Sequence, residues 1–204
     1  SFVAVVDAEY GQENLDEYPV AVDQVALAGI LLLNKIDLAD AARVEALERR
    51  LRRINPIAPI LHTQYCAAEM RQLLDTHRFV ELPSVAQLAS STLEQDGSPS
   101  MDKITSIVLT ETHPLDKEKV NVWIKDLFMT GGSKILRGKG FLCFAGSDHR
   151  FVFQSVRRTF HSEADRLWKA DEARESVIVL IGEGLGDAAE LQRSFSACVA
   201  GRSS

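Results

Sequence analysis

Residues Ile30 to Asp40 read ILLLNKIDLAD: four apolar residues run directly into an amide, an amine and a carboxylate, Asn34, Lys35 and Asp37. A short run that is apolar at both parities is what a strand buried on both faces of a parallel sheet requires. Two more runs share the pattern, FVAVV at 2–6 and APILH at 58–62, with GILLL at 29–33 between them. Helical spacing fills the intervals, at about 19–28, 40–53 and 66–74. In AARVEALERRLRR the residues Val44, Leu47 and Leu51, with Ile54 just beyond, share one face. Glu45–Arg49 and Glu48–Arg52 form i,i+4 pairs on the opposite face. Strand and helix in alternation predict right-handed crossovers and a parallel sheet, an α/β domain.

The pattern changes after residue 76. Residues 77–102 include two prolines, the cluster SST and the run DGSPS, and are expected to form a linker between two domains, 1–76 and 103–204. Beyond it ITSIVLT (104–110) reads as a strand. Pro114 and Asp116 open a helix with Val120, Ile124, Leu127 and Phe128 turned inward. KGFLCFA (139–145) and FVFQSVRR (151–158) read as strands joined by a turn at Gly146–His149. A fully apolar strand, VIVLI (177–181), precedes a last helix with Asp187 and Glu190 in capping-box spacing and Leu191, Phe195 and Cys198 buried. This is a smaller α+β domain of βαββ type, mostly antiparallel.

With 204 residues and 46% apolar composition, the chain can fill a packed core. No apolar stretch reaches the ~20 residues of a membrane helix, and no signal peptide is evident, so no membrane partner is expected. Cys66, Cys143 and Cys198 are scattered and odd in number, which fits a reducing, cytoplasmic compartment and neither a disulfide framework nor a complete zinc site. The net charge of −6 argues against wholesale nucleic-acid binding. Residues 1–76 carry 12 acids against 7 bases, so the excess acid lies in the first domain.

In an open parallel sheet, ligands lie at the carboxyl ends of the strands. Asn34, Lys35 and Asp37 stand at such an end, and their chemistry suits a guanine base. The Asp37 carboxylate can accept from N1–H and the 2-amino group, the Asn34 amide can meet N7 or O6, and the Lys35 methylenes can cover the ring. Adenine lacks the two donors that a buried Asp37 needs. The plainer alternative is a strand-to-helix loop in which Asp37 or Asp40 caps the next helix. Asp7 and the segment from His62 to Gln64 end the other two strands on the same rim. Thr63 to Cys66 could complete a base pocket with backbone groups, or Thr63 could cap the following helix; for Asp7 a turn or capping role is expected. No G-x-x-x-x-G-K-[ST] is present to cradle phosphates and hold magnesium. The first strand starts at residue 2, as though a larger domain were entered midway.

Seven ordered blocks carry a resemblance: VVDA (5–8), DQVALAGILLLNKIDL (23–38), RRINPIAPI (52–60), PLD (114–116) with Trp123 downstream, ILRGKGFLCFAG (135–146), FVFQSV (151–156) and VIVLIGEGL (177–185). Together they resemble the CobW-type GTPases, a group of metallochaperones. The resemblance implies a partial P-loop-NTPase-like sheet followed by the family's C-terminal domain. It also implies GTP or GDP as ligand, with Mg in the complete protein, and hydrolysis coupled to delivery of zinc or cobalt to a client metalloprotein. Asn34, Lys35 and Asp37 would be its guanine-specificity residues, with Thr63 beside them. The family's phosphate loop and Cys-x-Cys-Cys metal motif match no residues of this chain, so no catalytic or metal-binding residue is assigned and the chain alone is not expected to hydrolyse GTP. Arg157 stands where many relatives carry histidine. Self-association is left open.

The five histidines never fall at i,i+2 or i,i+4 spacing and read as surface or turn residues. Cys143, Cys198 and Trp123 read as core. Lys139-Gly140-Phe141 begins like an RNA-recognition strand, in a stretch with six bases and one acid from Lys134 to Arg158. Leu142, however, occupies a position that needs glycine or alanine. A non-catalytic interaction module and, more remotely, an RNA-binding domain are the rival functions.

Overall fold

The computed structural model describes residues 2–74, 103–129, 134–157 and 159–201. The linker expected at 77–102 lies outside the described residues. The chain divides into two compact units, Ser1–Ser106 and Ile107–Ser204.

The first unit is built on three strands, β1 (Val3–Asp7), β2 (Ile30–Asn34) and β3 (Ile60–Thr63), in spatial order β1-β2-β3 and all parallel. The crossovers carry helices α1 (Gly11–Glu17) and α2 (Pro19–Leu27), then α3 (Ala41–Ile54), and α4 (Met70–Leu74) follows β3. One helix was expected at 19–28. There are two, because Tyr18 is extended and Pro19, which fixes φ and brings no N–H, starts a new helix. Every residue of β2 is buried, as the doubly apolar run demanded. On β1, at the edge of the three, Val5 stays exposed.

Helix α3 matches its sequence pattern. Leu47, Leu51 and Ile54 are buried, and Glu45–Arg49 and Glu48–Arg52 pair at 2.8 and 2.7 Å on the outer face. Asp40 caps it, its carboxylate accepting from Arg43 N–H at 2.7 Å. Asn55, fully buried, ends it and ties the layers together. Its Nδ2 donates to Val25 O and Ala28 O, and its Oδ1 accepts from Ala58 N–H. A buried amide so fully satisfied orients the approach to β3.

The second sheet, which lies in the second unit apart from the first three residues of β4, comprises β4 (Ile104–Glu111), β5 (Lys134–Cys143), β6 (His149–Val156), β7 (Thr159–Leu167) and β8 (Ser176–Glu183), in order β4-β8-β5-β6-β7, with β8, β5, β6 and β7 antiparallel in turn. Helices α5 (Lys117–Met129) and α6 (Ala188–Ser196) bring Val120, Ile124 and Phe195, with Cys198 just past the end of α6, onto a core with Leu109, Leu142, Phe153, Ile178 and Leu180. Both are capped by aspartates, Asp116 and Asp187. Gly140 is fixed by packing: a Cβ there would lie 2.1 Å from Val177 O across the β5–β8 pair. β7 has no counterpart in the sequence pattern. Seven of its nine residues are exposed, so it carries no apolar period.

Candidate functional site at the strand ends

The strand register places Asp7, Asn34 and Thr63 side by side as the last residues of β1, β2 and β3. A polar row thus terminates three apolar strands at one edge. Asn34, 8% exposed, divides its amide. Oδ1 accepts from Thr63 Oγ1 at 3.1 Å and from Cys66 N–H at 2.8 Å, while Nδ2 keeps no partner among the described residues. That oxygen fastens the loop after β3 to the end of β2.

Lys35 follows with a left-handed backbone, φ 61°. Its Nζ lies 2.7 Å from Asp7 Oδ2, so the side chain leans toward β1. Asp7 also accepts from Glu9 N–H at 2.8 Å and Tyr10 N–H at 3.3 Å, the turn role expected of it. Burial pushes the Asp7 carboxyl up, but the Lys35 ammonium and these two N–H donors outweigh it and hold the group below the usual carboxylate range. The hydrogen bond and charge of Asp7 raise Lys35 in return.

Asp37 sits in the turn closed by Leu38 N–H on Lys35 O at 3.0 Å. It is exposed, not buried as the sequence suggested. Its carboxylate has no hydrogen bond or ion pair among the described residues, because Asp40 takes the capping role. The physical reason is local: the turn carries Asp37 three residues ahead of the cap, beyond reach of the first-turn N–H groups.

Thr63 is 5% exposed and caps no helix. The helix expected at 66–74 begins only at Met70. In its place the chain turns through Tyr65 and Cys66, both left-handed at φ 54° and 56°. Neither residue announces this in sequence, since left-handed turns are signalled by glycine or asparagine. The candidate site therefore joins Asn34, Thr63 and the 64–66 loop by hydrogen bonds, with Lys35 and the exposed Asp37 following in the turn after β2. The Asn34 N–H₂ and the Asp37 carboxylate, three positions apart and both without a partner among the described residues, offer donors and an acceptor suited to one planar ring edge.

Elsewhere, no group of three or more His, Cys, Asp or Glu suited to a metal occurs among the described residues. His62, His113 and His161 each face a glutamate, Glu48, Glu111 and Glu163. The aromatics that an RNA platform would need are occupied: Phe153 is fully buried, and the Arg150 guanidinium lies 3.9 Å from the Phe141 ring centroid. Arg150 is held there by Asp165 and Glu172, and Arg166 draws Glu172 down to about 2. No helix among the described residues is long and apolar enough to cross a membrane.

Residues 1–62 match the CobW/HypB/UreG nucleotide-binding domain, and residues 104–199 match the cobalamin synthesis protein cobW C-terminal domain. The chain belongs to the CobW family. The zinc chaperone YjiA of Escherichia coli is 31% identical over 194 residues, 95% of this chain and 59% of that protein. Zinc-regulated GTPase metalloprotein activator 1 of Saccharomyces cerevisiae is 28% identical over 193 residues, 81% of this chain and 43% of that protein. The crystal structure of Zn(II)-bound YjiA GTPase from E. coli aligns with a TM-score of 0.76 at 29% identity, covering 96% of this chain and 60% of that one. The CobW-family chain thus spans about three-fifths of the length of YjiA.

Proposed function

We propose that this chain is the guanine-recognising and C-terminal part of a GTP-dependent metallochaperone. Residues 1–76 hold the base of GTP or GDP through Asn34, Lys35, Asp37 and Thr63, and residues 103–204 form a client-docking or regulatory domain. The observation that carries the reading is the half-used amide of Asn34, followed three residues later by an Asp37 carboxylate without a partner among the described residues. Its oxygen organises the neighbouring loop, which leaves N–H₂ for guanine N7 or O6, while the Asp37 carboxylate is available to N1–H and the 2-amino group. These donors and acceptors fit guanine and mismatch adenine.

The relatives named zinc chaperone and zinc-regulated metalloprotein activator support zinc as the cargo in the whole protein, delivered to a client metalloprotein in the cytoplasm. No residue described here is assigned to phosphate transfer or to metal transfer, so no step of either is placed on this chain.

Guanine nucleotides should raise the melting temperature of the chain and adenine nucleotides at the same concentration should not; equal shifts would refute the assignment. Asp37→Asn should weaken GDP binding by about tenfold or more, the value of a hydrogen bond to a charged group. It should favour xanthosine nucleotides, whose 2-oxo group accepts from the new amide. Calorimetric titration with GDP and xanthosine diphosphate measures both.

A further inference from the structure

Four non-glycine residues among those described have a left-handed backbone, and three of them, Lys35, Tyr65 and Cys66, stand on the one rim just described. Each such conformation costs on the order of 1 kcal/mol and persists only where the surroundings fix it. Asn34 supplies the fixing: its oxygen holds Thr63 on one side of Tyr65 and Cys66 N–H on the other. The clamped loop presents Tyr65 at 91% exposure. An aromatic ring so presented gains almost nothing from the protein's own packing.

The sheet order sets where that ring stands. Lys35 leans toward β1 through Asp7, and Tyr65 lies two residues past the end of β3, on the other side of β2. A purine placed at the end of β2 by Asn34 and Asp37 would therefore have Lys35 toward β1 and Tyr65 toward β3.

We infer that Tyr65 is a stacking platform for the bound purine, opposite the Lys35 stem. The inference rests on the guanine-binding reading above and adds a distinct property to it. Every base presents a π-face, so stacking contributes affinity without choosing the base. Tyr65 therefore sets how tightly a nucleotide is held, and Asp37 sets which one.

The test is GDP and ADP binding to the 204-residue chain, followed by calorimetry and by the shift of the purine H8 proton. Tyr65→Ala should lower GDP affinity about tenfold, leave the ratio of GDP to ADP affinity unchanged and abolish an upfield ring-current shift of H8. Tyr65→Phe should restore both affinity and shift. Tyr65→Trp, which keeps an aromatic face, should bind GDP at least as tightly as the parent and show quenched fluorescence on binding. Tyr65→Ala within twofold of the parent, or no quenching in a folded Tyr65→Trp, overturns the platform. Asp37→Asn with unchanged GDP affinity overturns the site itself, whatever the Tyr65 variants do. Failure of the parent chain to bind GDP overturns both.

Discussion

Asn34 uses one half of its amide inside the protein and leaves the other at the rim, so a single side chain links the loop after β3 to the proposed base site. Truncating it strands the Thr63 hydroxyl and the Cys66 N–H at the edge of a buried row. Asn34→Ala is expected to destabilise the chain by about 1–3 kcal/mol, the range for leaving buried polar groups unpaired. Urea unfolding measures this, and GDP binding should fall in the same variant. Asp7 gives a second residue-scale test. Its folded-state pKa is depressed, so the stability it contributes is present above the unfolded value of 3.8 and is lost as pH falls through the lower folded value. Between pH 5 and pH 2, the urea midpoint of the parent chain should therefore fall more than that of Asp7→Asn. The Asn34–Lys35–Asp37 spacing was legible in sequence because the chemistry resides in the side chains themselves. The Asp7–Lys35 pair and the Asn34–Cys66 bond were not, because they join residues 28 and 32 positions apart that only the sheet register brings together.

At the scale of the element, α3 separates the two aspartates of the loop. Asp40 caps the helix and Asp37 touches nothing described. Asp40→Ala should cost about 1 kcal/mol of stability and leave GDP binding intact. The converse, lost binding at unchanged stability, belongs to Asp37→Asn, and thermal melts with and without GDP distinguish the two. Helix α3 was readable because its apolar face and its salt bridges obey one period. The helix after β3 was overextended because the 66–69 segment has adequate propensity, yet the Asn34 clamp holds Cys66 left-handed and delays the first turn to Met70. β7 escaped notice for the opposite reason: an exposed edge strand is held by backbone hydrogen bonds to β6, which leave no mark on side-chain pattern.

Across the whole molecule, the second core draws every one of its buried members from residues 107–199. Residues 103–204 produced alone should therefore unfold cooperatively, with the near-ultraviolet dichroism of Trp123 and Trp168 intact, and should show no response to guanine nucleotides. A non-cooperative melt, or a GDP-dependent shift in that piece, would contradict a self-contained C-terminal domain with base recognition confined to residues 1–76. Within that core Trp123 packs at 5.2 Å from Phe195 and donates to Ser194 Oγ at 2.9 Å, the structural role its spacing indicated.

By itself the sequence determined the two sheet types, the central buried strand, the capped helices and the identity of the groups at the rim. Each of these follows from local periodicity or from side-chain chemistry, which operate over a few residues. Tertiary structure alone decided which half of the Asn34 amide faces inward, that Lys35 pairs with Asp7, and that Tyr65, just past the end of β3, is left exposed. Those outcomes depend on hydrogen bonds between chain segments some thirty residues apart, aligned by the parallel register, and no local pattern encodes that alignment.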